Sequence, residues 1–130
     1  MKIKAGDIFK FQRNVDLLNF LLNRDMKAWY KCNYSYTDEI RMLFVTLNCD
    51  GNSGWINYFT KNGNIAEKYV GYINDMLPSH YEEKANYRLY FDKKIDENRK
   101  KYFEFVGLYR IISNSKTYRE YTKISDEFTF

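Results

Sequence analysis

Tyr102-Phe103-Glu104-Phe105-Val106-Gly107-Leu108-Tyr109-Arg110-Ile111-Ile112 is the stretch that decides the fold. It reads as a strand, and its neighbours on both sides read as strands too. Asn86 to Phe91 precedes it, with Tyr87, Leu89 and Phe91 in clean alternation. Thr117 to Ile124 follows, where Tyr118, Tyr121 and Ile124 share a face once a bulge is allowed. The charged span Asp92 to Lys101 and the tetrad Ser113-Asn114-Ser115-Lys116 are the connections, so three strands are joined as hairpins.

Working toward the N-terminus, Asn64 followed by Glu67 forms a capping-box pattern. Ile65, Ala66, Tyr69, Val70, Ile73, Met76 and Leu77 then fall on one helical face, and Pro78 stops it. A strand over Glu39 to Leu47 contains Met42-Leu43-Phe44-Val45, which suggests burial on both faces. Through the turn formers Asn48 to Gly54 it leads to a partner strand, Trp55 to Phe59. Asn14 is placed to cap a first helix, with Leu17, Leu18, Leu21 and Leu22 at helical spacing. Residues 3 to 11 suit a strand broken at Gly6-Asp7. The expected fold is one α+β domain with two helices and a mostly antiparallel sheet, curled or closed into a partial β-barrel.

Nearly a fifth of the 130 residues are aromatic: 13 Tyr, 10 Phe and 2 Trp. Rings that stack on bases, interleaved with cations that meet phosphates, make a nucleic-acid surface. A low-GC genome supplies a second explanation, because Phe, Tyr, Asn, Ile and Lys all have A/T-rich codons. Between Lys84 and Lys123 eleven basic residues face five acids, giving this part a charge of +6 against −2 for the remainder. An anionic partner is therefore expected to meet the C-terminal half, through Lys93, Lys94, Arg99, Lys100, Lys101, Arg110, Lys116 and Arg119. Asp96-Glu97 lies between the first five and weakens that loop as a phosphate clamp.

Catalytic chemistry finds little footing. His80 is the one histidine, which excludes nucleases built on paired histidines and a Cys/His zinc finger. Cys32 and Cys49 stand among no candidate metal ligands, so no metal or cofactor is expected, and both are read as buried or free thiols in a reducing cytoplasm. Asp75 with Glu82-x-Lys84 echoes a metal-dependent nuclease pattern, but Asp75 falls inside the expected second helix. Gly107-Leu108-Tyr109-Arg110 followed by Lys116-Thr117-Tyr118 resembles the opening of a GIY-YIG nuclease, and Arg119-Glu120 stands where that family has Ile-Gly. The glycine spacings fit neither a P-loop nor a dinucleotide fingerprint. No apolar run approaches the ~18 residues of a membrane span. A non-enzymatic, cytoplasmic protein is the expectation.

Two fragments resemble the PUA-like superfamily, small β-barrel domains that include the SRA and related readers of modified bases. Ala5-Gly6-Asp7-Ile8-Phe9 is similar to their Gly-Asp strand. Phe105-Val106-Gly107-Leu108-Tyr109-Arg110-Ile111 resembles the SRA strand reading Tyr-Asp-Gly-Leu-Tyr-x-Val, with Gly107 and Tyr109 matching and Phe105-Val106 replacing Tyr-Asp. The resemblance implies binding of nucleic acid, DNA or RNA, with a base extruded into an aromatic pocket. Such a base needs ring faces around it and polar groups on its pairing edge. Trp29, Tyr30, Tyr34, Tyr36, Trp55 and Tyr58 are the candidate platforms, with Asn57 and Asp38 as edge readers. Trp55 and Asn57 should share a strand face. Two alternatives stand: Trp55 as a core ring beside the second helix, and the whole chain as a protein-interaction module such as a phage-type inhibitor or accessory subunit.

Overall fold

The structure, a computed structural model, describes residues 1–48, 54–71 and 83–130. Its elements in chain order are β1 (Lys2–Lys4), β2 (Ile8–Phe9), α1 (Asn14–Leu22), β3 (Asn33–Ser35), β4 (Ile40–Val45), β5 (Trp55–Phe59), β6 (Ile65–Tyr69), β7 (Tyr87–Ile95), β8 (Lys101–Asn114), β9 (Tyr118–Ser125) and β10 (Glu127–Thr129). The stretch quoted at the outset is the middle of β8, a strand of 14 residues. It pairs antiparallel with β7, β9 and β2. The main sheet runs β3-β4-β7-β8-β9-β6-β5, and β1 pairs with β10 separately. All ladders are antiparallel except β4 with β7, which is parallel.

The sheet is open but curled. Leu47, just past β4, forms a single parallel bridge with Asn57 of β5, so distant parts of the sheet touch at one point. Bulges in β8 against both neighbours increase the local twist that makes this possible. Gly107 sits at one of them with φ +147, and a Cβ there would come within 2.9 Å of Lys123 Cε and 3.0 Å of the Ser125 carbonyl. Only glycine fits this place without strain.

Among the described residues there is one helix, and the expectation of a second beginning at Asn64 is corrected. Residues 65–69 are strand β6, Val70 and Gly71 follow it without helix, and residues 72–77 of that expected helix lie outside the described residues. The side chains that suggested a capping box do other work. Asn64 Nδ2 donates to Glu120 Oε2 on β9, and Glu67 binds two arginines. Ile65, Glu67 and Tyr69 obey a period of two, which a short apolar run leaves indistinguishable from a helical face. The expected pairing of β4 with β5 as a hairpin is corrected too. β5 returns through a turn into β6, closed by the Thr60 N–H to Asn64 O bond at 2.8 Å, with Gly63 at φ +80.

The first helix forms where expected. Val15, Leu17, Leu18 and Leu21 are buried, and the helix ends at Asn23 in the left-handed conformation, its N–H bonded to the Asn19 carbonyl. Asn14 is not its cap: its side chain donates to the Lys31 carbonyl, and Arg13 occupies the cap position, its side chain bonded to the Asp16 carboxylate rather than to a first-turn amide. α1 packs its leucines on Met42, Phe44, Leu89, Phe91, Phe103 and Phe105, the side chains on one face of β4, β7 and β8. Burial of β4 on both faces holds, since Met42, Leu43, Phe44 and Val45 are all buried. No described helix is long and apolar enough to cross a membrane.

Candidate functional site

Strand alternation sends Arg88, Tyr90 and Asp92 of β7 to the face opposite Leu89 and Phe91. Cross-strand register adds Tyr109 of β8, Arg119 and Tyr121 of β9, Ile65, Glu67 and Tyr69 of β6, and Trp55 and Asn57 of β5 to this concave face. One part of it is apolar, built from Leu43, Val45, Leu47, Ile65, Tyr90, Tyr109 and Tyr121. Toward β5 and β6 the lining becomes charged.

The charged part is a connected network. Glu67 Oε1 accepts from Arg88 Nη2 at 3.0 Å and from Arg119 Nη1 at 2.7 Å. Arg88 also donates to Glu83 Oε2 at 3.2 Å and to the Tyr90 hydroxyl at 3.0 Å. Glu83 takes Arg41 Nε at 2.7 Å through its other oxygen. Burial works to raise the Glu67 carboxyl, but the charge and hydrogen bonds of Arg88, with those of Arg119, outweigh it and hold the group below the usual carboxylate range. Glu83 is likewise held low: burial is overcome by the Ala85 N–H and by Arg41 and Arg88. Arg88 is buried to 2% and stays charged, its guanidinium 4.3 Å from the Tyr121 ring centre. Three arginines around two glutamates leave the cluster one positive charge in excess.

Aromatic groups border the network. Arg119 lies 4.4 Å over the Trp55 ring, and Trp55 meets Tyr69 edge to face at 5.3 Å between centroids. Asn57 is 6% exposed, and its Oδ1 has no hydrogen-bond partner among the described residues; nor does the fully buried Tyr121 hydroxyl. Leaving a buried acceptor unsatisfied costs about 1–3 kcal/mol. The backbone of Gly54 exchanges bonds with Gly71 and Val70 at the same end.

The sequence-derived candidates divide between two places. Trp55 and Asn57 share the concave face, as expected, whereas Tyr58 points to the opposite one. Arg119 belongs to the buried network and is not at the surface. Lys116 is exposed in the β8–β9 turn, which the Tyr69 N–H to Thr117 O bond fastens beside β6. On the helix-bearing side, Trp29, Tyr30, Lys93, Lys94 and Lys101 line one cavity of about 750 Å³. Arg99 and Lys100 occupy the β7–β8 turn next to it, and Arg110 is exposed along β8. Tyr34 meets Trp29 edge to face and accepts from Arg24, Tyr36 packs on Phe128 and Phe130, and Asp38 is exposed near the β3–β4 turn.

Sequence reasoning missed Glu67, Arg88, Tyr69, Tyr121, Glu83 and Arg41 as members of a site. The available signal was a charge set inside an apolar alternating run, as Arg88 stands between Tyr87 and Leu89-Tyr90-Phe91. Among the described residues no three His, Cys, Asp or Glu side chains gather as metal ligands. Cys32 is an exposed free thiol; Cys49, Asp75, His80 and Glu82 lie outside the described residues.

The sequence that builds this curled sheet matches a known family. The profile of the SET and RING associated (SRA) domain covers residues 1–130, and this chain belongs to that family. Among solved structures, the 5-hydroxymethylcytosine-specific restriction enzyme AbaSI has the same fold, with a TM-score of 0.72 at 17% identity. The match covers 98% of this chain but 42% of that one, so this chain spans less than half of the enzyme's length. No curated protein sequence matches it.

Proposed function

We propose that this SRA domain binds DNA and reads a modified cytosine, taking the base at the concave end marked by Trp55, Asn57 and Tyr69. Family membership supports the class of ligand, and the AbaSI neighbour is specific for a modified cytosine. The observation that carries the choice of place is Asn57 Oδ1: a buried acceptor, unpaired among the described residues, beside the Trp55 and Tyr69 rings. An extruded cytosine offers an exocyclic amino group that this oxygen can accept and a ring face for the aromatic groups. The Glu67–Arg88–Arg119 network is the rigid base of the site, since each guanidinium is fixed by a carboxylate and covered by a ring. Exposed Lys116 supplies a phosphate contact at the same end.

The test is anisotropy with duplexes carrying unmodified, 5-methyl or 5-hydroxymethyl cytosine at one site, from ~50 to ~200 mM salt. One modified duplex should bind about tenfold or more tighter than the unmodified one, and Asn57→Ala should erase most of that preference. Equal affinity for all three duplexes, or no binding at the lowest salt, overturns the reading and turns the search to a protein partner.

A further inference from the structure

The cavity on the helix-bearing side has a composition that the concave-face reading does not use. Lys93 follows Leu89 and Phe91 on that face of β7, so the sheet itself separates it from Arg88, Tyr90 and Trp55. Four cations line the cavity, Arg13, Lys93, Lys94 and Lys101, and no Asp or Glu does so among the described residues. Arg13 is paired with Asp16 and Lys94 with Glu104. Lys93 and Lys101 make no ion pair among the described residues. Burial pushes the half-buried Lys93 ammonium below its ordinary value, against the opposing effect of Cys32 and with a smaller contribution from the charge of Lys101.

Four rings complete the cavity: Trp29, fixed by its Nε1 donating to the Asn33 carbonyl at 3.0 Å, Tyr102, the buried Phe103, and Tyr30, 92% exposed. An exposed ring held at the mouth of a cationic cavity suits a flat ligand that carries an anion. The start of α1 borders the same space through Arg13, Asn14 and Val15. At about 750 Å³ the cavity falls within the range of small-ligand sites.

We propose that this cavity is a second site, independent of the concave one, for a nucleoside 5′-phosphate unit, with its base on Tyr30 and Trp29 and its phosphate between Lys93 and Lys101. The unit is either a free nucleotide or part of a single strand. Trp55→Phe leaves Trp29 as the only tryptophan of the chain's two, so its fluorescence reports this cavity while the concave site is altered. That variant is titrated with thymidine 5′-phosphate, thymidine, inorganic phosphate and a short single-stranded oligothymidylate.

Saturable quenching by the nucleotide or the oligonucleotide is expected, with thymidine and phosphate each weaker by about tenfold or more. Lys101→Ala, at an exposed position, and Lys93→Ala should each weaken the response by about tenfold, and Asn57→Ala should leave it unchanged. Similar affinity for nucleotide and oligonucleotide assigns the cavity to a free nucleotide; a much tighter oligonucleotide assigns it to a strand. No saturable response to any of the four, or a response indifferent to both lysines, overturns the proposal. Duplex discrimination at the concave face is read separately, so either site can fail alone.

Discussion

The two faces of the sheet are built on opposite principles. Under α1, phenylalanines at 44, 91, 103 and 105 pack on leucines, with rings tilted or edge-on at 5.2 to 5.9 Å. Such a face is stabilised by area removed from water and asks nothing of charge. On the concave face two glutamates and three arginines form ion pairs, and Asn57 Oδ1 is left without a partner among the described residues. Buried ion pairs seldom repay their desolvation, and apolar residues of the same volume often serve stability as well or better. The difference teaches what each face uses its burial for: one removes apolar area from water, the other holds polar groups in fixed directions at a cost.

Experiments that break the comparison come first. Phe91→Ala opens a cavity in the helix-side core and should lower unfolding free energy by about 3–5 kcal/mol in urea titrations. Protein that remains folded should keep its preference among DNA duplexes. Glu67→Gln removes the carboxylate that holds two guanidinium groups together and should cost about 3 kcal/mol, the lower end for breaking a buried pair. Base discrimination should fall with it.

The same residue governs acid stability. Glu67 and Glu83 lie below the ordinary value of 4.5, so their contribution is fully present above it and is lost as pH falls beneath it. Asp92 acts in the opposite sense, because burial raises it, despite the Leu47 N–H. Melting temperature should drop below pH ~4.5 in the native sequence and drop less in Glu67→Gln. An equal acid response in both proteins would mean that the network is not what titrates.

Two smaller effects sharpen the contrast. Asn57→Leu removes an unsatisfied acceptor, so thermal stability should hold or rise by up to about 1 kcal/mol while recognition of the modified base is lost. A loss of stability with recognition intact would make Asn57 a core residue. Lys116→Ala should leave the melting curve unmoved and lower the slope of log K against log salt by about 1.

How much of this was legible depends on the range of the interaction. α1, β4 and the β7–β8–β9 hairpins are encoded locally, by leucine spacing, apolar runs and turn residues, and they form in the expected order, although β7 runs on to Ile95 and β8 to Asn114, into spans read as loops. β6 was misread because Asn64 and Glu67 satisfy a helical capping pattern and also sit well on a strand. Glu120 and two arginines from β7 and β9 settle the matter, and none of them is near in sequence. Lys93, Lys101, Trp29 and Tyr30 were each candidates in the sequence, but it did not show that they line one cavity, nor that Arg119 leaves the group to become buried. The SRA strand around Gly107 and Tyr109 carried the family, because a positive φ at a crowded bulge constrains the residue itself. Sequence alone thus determined the class of domain and the presence of β4, β5, β7, β8 and β9, which rest on local backbone chemistry, whereas β3, β6 and β10 were not read as strands. Only the tertiary structure decided which charges are buried and paired, because the cost of a charge depends on what surrounds it, and its surroundings come from strands far apart in the chain.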